Sequence, residues 1–151
     1  MKVAVVIGKD AHELERFAAE QLCDYLQRLF DIHILPTQDL PSSTEVLFLI
    51  SSPNTNLSIK YLSPKLMEIG KQGIIWQRLY HHDFEKEDLP ASCSILLIGG
   101  GSPQSALWAV YELVEKWGVR YLLHGDVLPE KSQFQLPDTD LVMEPILPVR
   151  Q

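Results

Sequence analysis

Three short stretches of this chain are unbroken in apolar residues: Val3–Ile7, Val46–Ile50 and Ile95–Ile98. A strand with one wet face alternates polar and apolar positions, whereas a strand with no polar position must be covered on both faces. Doubly covered strands belong to parallel sheets layered with helices. The runs therefore predict an α/β (α+β) fold: a mixed, mostly parallel sheet with two main helices.

The helices are read from spacing. Asp10-Ala11-His12-Glu13 has the D-x-x-E form of a helix start, with Asp10 as the expected cap. Leu14, Phe17, Ala18, Leu22, Tyr25, Leu26 and Leu29 follow as an apolar stripe. Glu13, Glu15, Arg16, Glu20, Asp24, Gln27 and Arg28 supply the polar face. In the second helix Ser102 caps and Pro103 takes the first position. Leu107, Val110, Tyr111, Val114 and Trp117 form its stripe, widened by Ala106, Ala109 and Leu113, and Gly118 suits a left-handed end.

Between them the pattern predicts a short strand at Ile32–Leu35, a short helix from Pro64 to Gly70, and a strand at Gly73–Tyr80 that is an edge or runs antiparallel. Val119–Leu123 reads as the last clear strand, entered by a parallel crossover like that after Val3–Ile7. From Gly125 onward the chain holds Pro129, Pro137, Pro145 and Pro148 and reads as extended. The expected organisation is one α/β domain over 1–130 and a tail or linker over 131–151.

Composition excludes several partners. The 151 residues carry 13 Lys+Arg against 20 Asp+Glu, a formal charge of −7. Such a surface repels nucleic acid and anionic membranes. The apolar runs fall far short of the about 20 residues a membrane span needs. Met1-Lys2 followed by Val3–Ile7 imitates a signal peptide, but the apolar core is too short. If Met1 is the natural start, a cytoplasmic location follows. Cys23 and Cys93 stand apart without Cys or His at ligand spacing and are expected to be buried thiols. No cofactor and no metal is expected.

The turn Gly99-Gly100-Gly101-Ser102 is the clearest candidate for a ligand, because amides at a helix start attract phosphate. Gln104 breaks the dinucleotide pattern G-x-G-x-x-G, and no lysine completes a P-loop. His81-His82-Asp83 with Glu85, Glu87 and Asp88 reads as a solvated loop. His12-Glu13 begins a zinc-protease motif that Arg16 ends, and no G-x-S-x-G elbow is present. Glu112 and Glu115 read as a wet helix face. Asn56-Leu57-Ser58 is an acceptor for glycosylation only in a secreted chain. Trp108 lies one position off its stripe and is free to meet a partner.

The segment Ile95–Tyr121, an apolar strand, Gly-Gly-Gly, then Ala106-Leu-Trp-Ala-Val-Tyr-Glu-Leu-Val-Glu115 and Trp117-Gly-Val-Arg-Tyr121, resembles the non-catalytic N-terminal α/β domain of bacterial glycoside hydrolases. Such domains precede the barrel of α-glucuronidases and β-N-acetylhexosaminidases. Phe17-Ala-Ala-Glu-Gln-Leu22 and Tyr25-Leu26 also fit the family. Ser105 stands where the family often has Gly, and Trp108 where it has Tyr.

The resemblance implies an accessory domain that packs on a catalytic (β/α)8 barrel of the same polypeptide and carries no catalytic residue. Trp108, Arg120, Tyr121 and Arg150 are then the expected contacts with the barrel, and carbohydrate is a conceivable ligand. Two other readings stay open: a stand-alone phosphate- or sugar-binding module using Gly99–Ser102, and a protein-interaction domain.

Overall fold

The computed structural model describes residues 2–39, 43–53, 55, 64–80, 93–122, 125–129, 134–137 and 140–144. The three apolar runs form strands β1 (Val3–Ile7), β2 (Val46–Ser51) and β4 (Ser94–Gly100), paired side by side and parallel. β3 (Ile74–Leu79) runs antiparallel on the far side of β4, and β7 (Leu141–Met143) pairs antiparallel with β3. The sheet order is β1-β2-β4-β3-β7. The mixed, mostly parallel character expected of the core strands is thus present.

Alternation along each strand divides the core. Val3, Val5, Ile7, Phe48, Ile50, Trp76, Leu96 and Ile98 face one side, against α1 (Glu13–Phe30) and the helix Pro103–Lys116. Ala4, Val6, Leu47, Leu49, Ile75, Ile95 and Leu97 face the other, with Leu66 of the short α2 (Pro64–Glu68). The long second helix is α3. Each layer holds one free, buried cysteine, Cys23 on the helix side and Cys93 opposite. Burial pushes the Cys23 thiol up to about 12, helped by the charge of Glu20.

Local details differ from the periodicity in four places. The cap of α1 is His12, not Asp10: the His12 ring accepts from the Leu14 amide, and the Glu15 carboxylate accepts from the His12 amide. This reciprocal box satisfies two end donors where a lone Asp10 would satisfy one. The buried stripe is turned by about one residue, so Leu14 and Phe17 are exposed while Glu15 is fully buried.

Ile32–Leu35 forms no strand. Asp31 ends α1 in the left-handed region at φ 59°, and the following segment pairs with β1 at Thr37, which exchanges hydrogen bonds with Val5 and Ile7. Residues 120–122 do not enter the main sheet, because β4 already has β2 and β3 on its two edges. They form β5 (Arg120–Leu122), paired antiparallel with β6 (Gly125–Val127) as a separate hairpin. The parallel crossover expected after α3 is therefore absent.

The stretch beyond 130, read as an extended tail, supplies β7 and Phe134. Phe134 meets Phe30 and Trp117 at ring-centroid distances of 5.2 and 5.9 Å. Trp117 donates its indole N–H to the Gln135 carbonyl at 2.9 Å.

Candidate functional site

The glycine turn is built for close packing. Gly99 and Gly100 are the last residues of β4, and a Cβ on Gly100 would strike Ser105 and the Ala106 amide. A Cβ on Gly101 would strike the backbone of Gly70. The Gly101 amide donates to the Gly73 carbonyl at 3.0 Å. Ser102 caps α3 as expected: its Oγ accepts from the Ser105 amide and donates to the Lys71 carbonyl at 2.8 Å. The segment Gly70–Gly73 thus fills the place in front of the turn and takes up the groups a phosphate would use.

The expected barrel contacts are scattered. Trp108 is 42% exposed in the first half of α3. Arg120 lies beyond the other end of that helix, its guanidinium donating to the carbonyls of Glu115 and Val119. Tyr121 pairs with Asp126 across the hairpin. Arg150, and the polar loop with His81, His82, Asp83, Glu85, Glu87 and Asp88, lie outside the described residues, as do Asn56, Leu57 and Ser58.

Two features were not foreseen. One is the carboxylate of Glu15, fully buried at the exit of β2, where it accepts from Ser52 Oγ at 3.0 Å and Thr55 Oγ1 at 2.8 Å. The other is an open cleft of about 620 Å³ between the two long helices and the hairpin. It is lined by Gln21, Tyr25 and Arg28 of α1, Tyr111 and Glu115 of α3, and Gly125 and Asp126 of β6.

One wall of the cleft is a bonded set. Tyr25 donates its hydroxyl to Asp126 Oδ2 at 2.6 Å, and Arg28 holds both Asp126 oxygens at 3.1 and 3.4 Å. The guanidinium carbon also sits 5.1 Å from the centre of the Tyr25 ring. The Tyr25 hydroxyl first, and Arg28 second, hold the Asp126 carboxyl below the usual range. The Tyr111 hydroxyl lies 3.5 Å from Gln21 Oε1, and burial pushes the Tyr111 phenol up. Gln21, Tyr25 and Arg28 recur at helical spacing, a signal present in the sequence. Asp126 comes from about a hundred residues away and carries no local signal.

With this geometry the chain can be compared with known proteins. No family model and no curated protein matches it. Among solved structures it is similar to a family GH115 4-O-methyl-α-glucuronidase with specificity for decorated arabinogalactans. The TM-score is 0.66 at 15% identity. The fold is one found inside a glycoside hydrolase. The match covers 95% of this chain but 17% of the glucuronidase, so this chain corresponds to a small part of that enzyme. A second similar chain is a GH138 enzyme targeting pectin rhamnogalacturonan II, with TM-score 0.44, 14% identity, and coverage of 76% of this chain and 10% of that one. At the level of fold, the likeness to the glucuronidase agrees with the resemblance read from Ile95–Tyr121. No helix among the described residues is long and apolar enough to cross a membrane.

Proposed function

We propose that this chain is a non-catalytic accessory domain of a larger glycoside hydrolase, packed on its catalytic barrel and stabilising it. The supporting observation is the coverage: nearly the whole chain matches one small part of the glucuronidase. The mechanism open to such a domain is burial of apolar surface between domains. Trp108, an exposed indole on α3, and Arg120 and Tyr121 at the start of the hairpin are the contacts we assign to the barrel, together with Arg150.

An immunoblot of source-cell extract with an antibody to this chain tests the reading. A band far above 17.2 kDa is expected, and a band at 17.2 kDa overturns it. The chain alone should not turn over aryl glycosides. Reproducible hydrolysis abolished by Glu112→Gln would count against it.

A ligand-binding module is the second reading, and one observation favours it: the cleft beside Tyr111, rather than the packed turn at Gly99–Ser102.

A further inference from the structure

The cleft between α1, α3 and the β5–β6 hairpin has a composition that neither packing nor capping explains. Its polar groups fall into two sets. Tyr25, Asp126 and Arg28 bond one another and form a fixed wall. Gln21 Oε1 takes the Tyr111 hydroxyl, whereas the Gln21 amide nitrogen and the Glu115 carboxylate have no bonding partner among the described residues. The half-buried Tyr111 ring lines the same cleft. Gly125, at φ +118°, also lines the cleft, and nothing lies within 4 Å of where its Cβ would be.

Charge narrows the ligand. Arg28 is the one cation among the seven lining residues, and it is already bonded to Asp126 and to Asp24 at 3.2 Å. Glu115 leaves the cleft acidic, so a phosphate or carboxylate ligand is repelled. A ring with an apolar face and a rim of hydroxyls matches this lining: the half-buried Tyr111 ring, the Gln21 amide donor and the Glu115 carboxylate acceptor. The volume of about 620 Å³ lies within the range of small-molecule sites. We propose that this cleft binds a neutral pyranose, its apolar face on Tyr111 and its hydroxyls bonded to Gln21 and Glu115.

The test is a titration of the 151-residue chain with cellobiose and with lactose, read by backbone amide shifts. Saturating shifts confined to Gln21, Tyr111, Gly125 and Asp126 are expected, with a dissociation constant on the order of 1 mM. Tyr111→Ala should weaken binding about tenfold, the contribution of one ring contact. Because Tyr111 is half-buried, Gln21→Ala serves as the second variant, and its circular dichroism should match the wild type while its affinity falls. Shifts that never saturate, or that neither substitution alters, overturn the proposal. Spermidine saturating the same amides while both sugars fail also overturns it, and makes the cleft a cation site. The result does not depend on the size of the immunoblot band, so the two proposals stand or fall separately.

Discussion

Asp126 joins the small hairpin to the first helix. Its carboxylate is the only group of β6 bonded to both Tyr25 and Arg28 among the described residues. Because the folded state holds this carboxyl below its usual range, the stabilisation is complete above the ordinary carboxylate value of about 3.9 and is lost as pH falls through the lowered one. Asp126→Asn should therefore lower stability near pH 7 by about 0.5–1 kcal/mol, a figure kept small by solvent screening at a partly exposed site. The gap between variant and wild type should close below about pH 4. Thermal melts at pH 7 and pH 3 check this; a gap of equal size at both excludes the carboxylate as its source. Gly101 gives a test of packing at the same scale. An added Cβ has no room against Gly70, so Gly101→Ala should cost about 2–3 kcal/mol in urea denaturation.

The start of α1 is stabilised from two directions. His12 and Glu15 cap each other, and the same Glu15 carboxylate receives Ser52 and Thr55 from the end of β2. Glu15→Ala removes the capping bond and leaves the Ser52 hydroxyl without its acceptor, while Thr55 Oγ1 keeps the Ser52 carbonyl at 2.9 Å, so a loss of about 2 kcal/mol is expected. His12→Ala removes only the ring's bond to the Leu14 amide and should cost about 1 kcal/mol. Equal losses from the two substitutions would show that the contact with β2 adds nothing to the cap. This region also marks how far periodicity reaches. The α3 stripe, the Ser102 cap, the Pro103 start and the later part of the α1 stripe are legible because they depend on neighbours three or four residues away. Glu15 is not: its polarity assigns it to water, and only the distant Ser52 and Thr55 make its burial tolerable. The strand expected at Ile32–Leu35 fails for a similar reason. Its apolar residues are suited to a strand, but β1 pairs with that part of the chain only at Thr37.

For the whole molecule, the three apolar runs were enough to give the parallel centre of the sheet. The antiparallel side was only half legible, since β7 is three residues long and sits among prolines that read as a tail. The cleft was less legible still, because its wall joins residues about a hundred positions apart. The contribution of the last segment can be measured. A chain ending at residue 130 loses β7 and Phe134, and with them the ring contacts to Phe30, Phe48 and Trp117. It should lose its cooperative melt and its dispersed amide spectrum; a sharp transition near the full-length midpoint would show that 1–130 folds alone.

The two cysteines have a practical consequence. One thiol lies on each side of the sheet, Cys23 beneath the helices and Cys93 in the opposite layer, and burial shields both from reagents. Each can therefore serve as a native clock for its own layer, since modification must wait for that layer to open. Mass spectrometry of a timed alkylation would date the two openings separately, without a single introduced label. Equal rates mean that the sandwich opens as one cooperative unit, and unequal rates identify which slab lets go first.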